Sequence, residues 1–311
     1  MPILRQIEDD FRKHKYFSGL RVLVCIHLEA KTAYLAQVFA AGGAEVAVTG
    51  SNPHSTKDDV VAALYDEGLH VYARYGATPE EMRQYMNRAL DVRPNIMIDD
   101  GGDIVELLHT ERQELLPEVL GACEETTTGV LRAKARAKAG VLEFPVVLIN
   151  DARCKYLFDN YHGTGQSVWD GVMRTTNLVV SGKTVVIIGY GWCGKGCAER
   201  AQGLGANVIV CEVDPIKAAD ALMHGLRVMP LNQAVPEGDI ILTVTGGKHV
   251  IRHEHYERMK DGVILANAGH FKIEFDLDAL LNLSVEQKEM RHNITGFLMA
   301  DGRWLNLLGD G

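Results

Sequence analysis

Four polar clusters stand directly after short apolar runs. His27 opens His27-Leu28-Glu29-Ala30-Lys31-Thr32 after residues 22–26, and Asp99-Asp100-Gly101-Gly102-Asp103 follows residues 95–98. Asn150-Asp151 follows 146–149, with Lys155, Asp159 and Asn160 just beyond, and His270 lies in Asn267-Ala268-Gly269-His270-Phe271 after 263–266. Imidazole, carboxyl and amine groups move protons near neutrality, a lysine only when its surroundings lower its pKa. Alone, each is more often a helix cap or a satisfied polar group. Four at successive strand ends fit the carboxyl-edge crevice in which open α/β sheets hold their ligands.

A second chemistry is written in Gly189-Tyr190-Gly191-Trp192-Cys193-Gly194-Lys195-Gly196. It follows apolar residues 184–188, opens a helical stretch, and precedes a strand that ends at Glu212, 18 residues past Gly194. That context is what a dinucleotide fingerprint needs. Gly189 permits the tight turn, Gly191 lets the backbone approach a pyrophosphate, and Gly194 lets helix and strand pack closely. The helix N-terminus offers N–H groups to the phosphates. Glu212 can accept from a ribose diol and repels a 2′-phosphate, so NAD is expected over NADP; nearby Lys217 is the feature that pulls the other way. Cys193 and Cys197 have no further Cys or His at metal-ligand spacing and are read as packing residues, so no metal site is expected.

The elements that must position these residues alternate along the chain. Strands are expected at 22–26, 45–48, 70–73, 95–98, 146–149, 184–188, 207–211, 240–244 and 263–266, and helices at 31–41, 79–90, 194–204 and 215–223. Near-continuous Val/Ile/Leu runs belong in parallel sheets covered on both faces, and the alternation implies right-handed crossovers. The pattern starts twice. The expected fold is therefore α/β, with two doubly wound parallel-sheet, Rossmann-like domains joined by a hinge: a substrate-binding domain over 1–155, a nucleotide domain over 156–288, and a segment over 289–311 that returns to the first. The 311 residues are 47% hydrophobic and 23% charged with a net charge of −9, which argues against nucleic acid or an anionic membrane as partner. Six scattered cysteines make no disulfide framework. No apolar run approaches the ~18 residues of a membrane span, and the N-terminus lacks a signal-peptide pattern. A cytoplasmic enzyme is expected. The basic run at 132–138 is read as a solvated helix face.

At the residues of these clusters the chain resembles the S-adenosylhomocysteine hydrolase family. The matching segments are Ser51-Asn52-Pro53-His54-Ser55-Thr56-Lys57-Asp58, Asp99 to Asp103, Glu124-Glu125-Thr126-Thr127-Thr128-Gly129, Asn150-Asp151, Lys155, Phe158-Asp159-Asn160, Gly189 to Cys197, Asn267 to Phe271 and Arg303 to Leu307. The resemblance covers essentially residues 1–311, and the version with His27 to Thr32 is similar to the thermophile bacterial and archaeal branch. It implies a hydrolase of the methyl cycle and one-carbon metabolism that splits S-adenosyl-L-homocysteine reversibly into adenosine and L-homocysteine. A nucleoside 5′-thioether has no acidic hydrogen beside its leaving group. Oxidation of the ribose C3′ hydroxyl makes the C4′ hydrogen acidic, homocysteine is eliminated, water adds, and the ketone is reduced, so NAD is a recycled prosthetic group. A homotetramer is also implied.

The resemblance assigns roles residue by residue. Lys155, with Asp159 alongside, matches the group that takes the 3′-hydroxyl proton, and Asn150 supports it. Glu125 resembles the carboxylate that orients the ribose hydroxyls, while Asp100 and His27 match residues acting near C4′ and C5′. His270 resembles the histidine that bridges substrate and nicotinamide. Thr126, Thr127, Thr128, Asn160, Thr245, Gly246 and Asn306 match cofactor contacts, joined by Gly189, Gly191, Trp192, Cys193, Gly194, Glu212, Lys217, Ala268 and Gly269. The base pocket is expected from Glu29, Lys31, Thr32 and Lys57.

Three features depart from the family pattern. Glu29, Lys31 and Lys57 stand where the eukaryotic pattern has Thr, Glu and Gln. A Glu/Lys pair can serve adenine or hypoxanthine, with donor and acceptor exchanged, so S-inosyl-L-homocysteine is an open alternative; the two side chains can also form a surface pair away from any base. Thr164 replaces a common cysteine near the nicotinamide. Residues 296–303 are shorter than the family pattern, and after Gly309-Asp310-Gly311 the family continues with a Gly-His-Pro lid and a tail whose Lys and Tyr reach a neighbouring NAD, so further residues are expected. Two other readings of the same residues are a dehydrogenase of a small hydroxy acid, which leaves 124–129 and Lys155 without a purpose, and a non-catalytic NAD- or nucleoside-binding protein.

Overall fold

A strand that is apolar at every position has to feed two cores, because successive side chains leave it on opposite faces. The computed structural model describes residues 1–311 and resolves them into two compact units, Met1–Ala152 and Arg153–Gly311. In the first, strands β1 (Arg21–Ile26), β2 (Glu45–Gly50), β3 (His70–Tyr72), β4 (Ile96–Asp99), β5 (Gly121–Glu124) and β6 (Val146–Leu148) form a parallel sheet ordered β3-β2-β1-β4-β5-β6. Helices α1 (Pro2–His14), α2 (Ala30–Ala41), α3 (Asp58–Asp66), α4 (Pro79–Leu90), α5 (Asp103–Thr110) and α6 (Thr127–Lys138) connect and flank it. Val22, Val24 and Ile26 of β1 enter one core with Val46 and Val48, and Leu23 and Cys25 enter the other with Met97 and Ala122. Each Val, Leu, Ile or Met among them contributes about 1.5–3 kcal/mol on burial. Helix α4 starts in a capping box between Thr78 and Glu81, which fixes its first turn. The winding reverses between β1 and β4, so a crevice opens at their carboxyl ends.

In the second unit a π-helical segment, Lys155–Gly163, runs into α7 (Thr164–Thr176). Then follow β7 (Thr184–Ile188), α8 (Trp192–Gly203), β8 (Asn207–Cys211), α9 (Pro215–Met223), β9 (Arg227–Val228), β10 (Ile240–Thr243), β11 (Val263–Asn267), β12 (Ser284–Arg291), β13 (Ile294–Met299) and β14 (Trp304–Leu308). The order is β12-β13-β14-β11-β10-β7-β8-β9. From β14 to β9 the pairing is parallel, whereas β12, β13 and β14 pair antiparallel. The second sheet is thus mixed rather than wholly parallel. Residues 289–311, expected to return to the first unit, instead extend this sheet. Phe297, Met299, Leu305 and Leu307 share one buried core with Val263 and Leu265. No helix is long and apolar enough to cross a membrane.

Candidate active site

In the first unit, β4 ends in Asp99 and β5 in Glu124, which face each other across the ladder. Asp99 Oδ1 accepts from the Asp100 amide and Oδ2 from the Val105 amide, each at 3.0 Å, which sets the entry to α5. Glu124 Oε1 accepts from the Gly101 amide at 3.0 Å and the Thr126 amide at 2.9 Å, so one carboxyl ties together the loops after β4 and β5. Gly129 leaves room for it, since a Cβ there would lie 2.1 Å from Glu124 Cδ. Burial pushes the Glu124 carboxyl up to about 7 against the pull of those two amides, and burial together with Glu124 raises Asp99 well above the usual range. These buried acids hold the turns that carry Asp100 and Glu125. Sequence reasoning gave neither a role; Asp99, an acid ending an apolar run, is a readable signal, whereas the strand that ends in Glu124 is too short to mark it.

Asp100 is buried at the tip of β4, and Oδ2 accepts from Ser51 Oγ at 2.8 Å. His27 Nε2 lies 3.5 Å from the same oxygen, and His27 Nδ1 lies 2.6 Å from Ser55 Oγ. The ends of β1, β2 and β4 thus converge on an imidazole–carboxyl pair backed by two hydroxyls. Thr32 is buried and donates to the His27 carbonyl at 2.5 Å. Glu29 caps α2 by accepting from the Lys31 amide at 3.1 Å, and its carboxyl lies 3.9 Å from Lys31 Nζ. Lys31 and Lys57 are exposed. Thr126 is the N-cap residue of α6, and Thr127 Oγ1 accepts from Asn150 Nδ2 at 3.2 Å.

In the second unit the Gly-rich turn joins β7 to α8. Gly189 has φ 102°, and a Cβ on Gly194 would lie 2.1 Å from the Gly189 carbonyl oxygen, whereas a Cβ on Gly191 would meet open space. The turn is a cradle that side chains would fill. Glu212 Oε2 accepts from the Tyr190 amide at 2.7 Å, and Oε1 accepts from the Val213 and Asp214 amides at 2.7 and 3.0 Å. Burial opposes its ionisation, but these three amides and Lys217 outweigh it and hold the carboxyl below its usual range. Cys197 is buried under Trp169, whose Nε1 donates to the Cys197 carbonyl at 2.8 Å.

Lys155 Nζ lies 3.3 Å from Asp159 Oδ2 on the π-helical segment, a local geometry common at functional sites. Asn160 Nδ2 donates to Cys193 Sγ at 3.3 Å, and Cys193 Sγ lies 3.7 Å from Thr164 Oγ1. After β10, the Thr245 amide and hydroxyl and the Gly246 amide all donate to Glu274, a fully buried carboxyl. Gly269 crosses so close that a Cβ would lie 2.1 Å from Glu274 Oε1. Asn267 Oδ1 accepts from the Gly269 amide at 2.6 Å and Asn267 Nδ2 donates to the Phe271 carbonyl at 2.9 Å, fixing the turn that carries Ala268 and His270. Asn306 lies on β14, with Nδ2 3.4 Å from the Val263 carbonyl. Glu274 was missed because nothing in its local sequence marks it.

The sequence model described as S-adenosyl-L-homocysteine hydrolase matches residues 1–119, and that of the same family's NAD binding domain matches 160–311. An adenosylhomocysteinase of Pyrococcus abyssi is 56% identical over 311 residues, which is 100% of this chain and 74% of that protein. The chain belongs to the S-adenosyl-L-homocysteine hydrolase family. Another relative in this family, an S-inosyl-L-homocysteine hydrolase of Methanopyrus kandleri, is 54% identical over 312 residues, 100% of this chain and 74% of that one. A dipicolinate synthase chain from Bacillus halodurans superimposes with a TM-score of 0.52 at 13% identity over 85% of this chain and 86% of that one. Cofactor-bound 3-phosphoglycerate dehydrogenase of Entamoeba histolytica does so at 0.51 and 14% identity, over 85% and 76%; both likenesses concern the fold alone. NAD is the cofactor of the family's second domain, and the Gly189–Gly194 cradle with Glu212 at the next strand end fits it.

Proposed function

We propose that the chain hydrolyses S-adenosyl-L-homocysteine reversibly to adenosine and L-homocysteine, with NAD recycled in each turnover. The observation that carries the reading is the Lys155–Asp159 pair, 3.3 Å apart, on a segment that seats Asn160 against Cys193 of the dinucleotide turn. The Gly189–Gly194 turn and Glu212 would hold NAD, which would supply a reversible hydride acceptor for ribose C3′. Lys155 takes the 3′-hydroxyl proton, and Asp159 stabilises the ammonium that results. Glu125 orients the ribose hydroxyls. His27 Nε2 and Asp100 Oδ2 stand 3.5 Å apart, so the pair can remove the C4′ proton and protonate the departing sulfur, then activate the incoming water. Ser51 and Ser55 fix the pair's orientation. Asn150 supports the lysine, His270 spans substrate and nicotinamide, and Glu29, Lys31, Thr32 and Lys57 border the base.

The experiment is thiol release. Purified protein carrying NAD should liberate homocysteine from the adenosine thioether, and Lys155→Ala should lower the rate by about 10²–10⁴-fold. Unchanged turnover in that variant would refute the lysine's role. The name of the Methanopyrus kandleri relative supports a second reading, the inosine thioether. A base edge left with unpaired polar groups discriminates by about 10⁴–10⁵, so the two thioethers assayed side by side separate the readings sharply. NAD bound without thiol release from either would favour a nucleoside-binding protein. A cytoplasmic homotetramer completes the proposal, supported by the resemblance and tested by sedimentation.

A further inference from the structure

Lys155 and Asp159 have a shadow pair one residue along the π-helical segment, Tyr156 and Asn160. That second pair is gripped by two consecutive residues of the Gly-rich turn. The Tyr156 ring stacks on Trp192 with centroids 4.7 Å apart and planes at 23°, and Asn160 Nδ2 donates to Cys193 Sγ at 3.3 Å. Tyr161 meets Trp192 edge-on at 6.4 Å and 82°, and its hydroxyl bonds to Glu199 on α8. The backbones interlock as well. A Cβ on Gly196 would lie 1.9 Å from the Tyr161 carbonyl oxygen, and one on Gly165 would lie 2.7 Å from the Gly196 carbonyl.

We propose that Trp192 and Cys193, the interior pair of the Gly-x-Gly-x-x-Gly turn, are positioning residues for Lys155. They bolt the π-helical segment to the first turn of α8 and so hold the lysine's amine at a set place relative to the dinucleotide cradle. A π-helix is rare and persists where its surroundings over-determine it. Released from Trp192, the segment is free to tighten toward an α-helix, which changes the twist per residue and re-aims Lys155 and Asp159 together. A displacement of about 1 Å at a reacting group can cost about 10²-fold in rate. Trp192 is 42% exposed, so its role is not that of a core side chain. The expectation that Trp192 contacts the cofactor is a competing role that the test separates. The inference rests on the reading that Lys155 takes the 3′-hydroxyl proton.

The test uses the NAD-loaded protein and its Trp192→Ala, Trp192→Phe and Lys155→Ala variants. NAD content, melting temperature and the single-turnover reduction of bound cofactor by adenosine or inosine are read together, the last from the near-ultraviolet absorbance of reduced nicotinamide. Trp192→Ala should keep its NAD and slow reduction by about 10–100-fold, and Trp192→Phe, which restores a ring for Tyr156, should recover most of that loss. Reduction at the wild-type rate in Trp192→Ala, or slowed only in proportion to lost NAD, overturns the proposal. Reduction by Lys155→Ala at the wild-type rate overturns the underlying reading instead. Should Trp192→Ala not fold, Tyr156→Leu removes the same stack from the other side and is scored by the same outcomes.

Discussion

Asp99 and Glu124 sit opposite one another on neighbouring parallel strands with both carboxyls shut away from water. Two acids at such a spacing cannot both ionise cheaply. Their placement behind Asp100 and Glu125 makes the carboxyl edge of the first sheet a set of turns held by acids that favour the proton-bound state.

The pH dependence of stability follows from the sign of that shift. The folded chain keeps the Glu124 proton up to about 7, whereas an unfolded glutamate releases it near its ordinary 4.5. Between those values the folded state binds more protons than the unfolded one. Stability is therefore greatest on the acidic side of this window and falls as pH rises through it, by up to about 1.4 kcal/mol per pH unit from this group. Melting curves of wild type and Glu124→Gln from pH 5 to 7.5 should draw apart toward the alkaline end, because the variant keeps a neutral side chain and lacks this slope. Parallel curves would show that Glu124 is already ionised at pH 5.

Gly129→Ala should act through the same carboxyl. Its new methyl would fall 2.1 Å from Glu124 Cδ, and relief requires the loops after β4 and β5 to shift. A loss of about 1–3 kcal/mol in denaturant titration is expected, with a larger loss of turnover than Gly140→Ala would give, since Gly140 has φ 71° and open space around its Cβ position. Equal stability and activity would mean the carboxyl moves freely.

Glu274 makes the corresponding prediction in the second unit. Alanine there removes the acceptor of the Thr245 amide and hydroxyl and of the Gly246 amide, at about 0.5–1.5 kcal/mol for each hydrogen bond lost. Glutamine keeps one acceptor oxygen, so Glu274→Gln should fall between wild type and Glu274→Ala in thermal unfolding and in NAD retention. Indistinguishable variants would mean that solvent reaches the loop.

Glu212 should make the cofactor site selective. Its carboxylate, just past the end of β8, is held ionised by the Tyr190, Val213 and Asp214 amides, and an acid at that strand end disfavours a ribose 2′-phosphate in this fold. NADP should bind at least about tenfold more weakly than NAD, a difference of about 1.4 kcal/mol, and calorimetry on NAD-free protein measures it. Comparable affinities would assign the choice to Lys217.

The strands that were legible are those buried on both faces. Residues 184–188 and 207–211 were marked by continuous β-branched and apolar side chains, and they match β7 and β8. Strand β12 escaped notice because it is an edge strand exposed along nearly its whole length, with Glu286, Lys288, Glu289 and Arg291 facing water, a common protection of sheet edges. Strand β5, Gly-Ala-Cys-Glu, is too short and mixed to show a period. The Gly-rich turn could be read because backbone geometry dictates glycine at fixed offsets. Glu274 could not, because its partners lie 28 and 29 residues away.

By itself the order of residues determined the α/β class, the dinucleotide turn and the acids, lysine and histidines that end the strands, since period, turn chemistry and strand ends are local properties. Only the tertiary structure decided which carboxyls are buried, which amides they hold, how the π-helical segment seats on α8, and that the last strands complete the second sheet. Those depend on contacts between residues far apart in the chain, and burial, unlike periodicity, is not a property any short stretch carries alone.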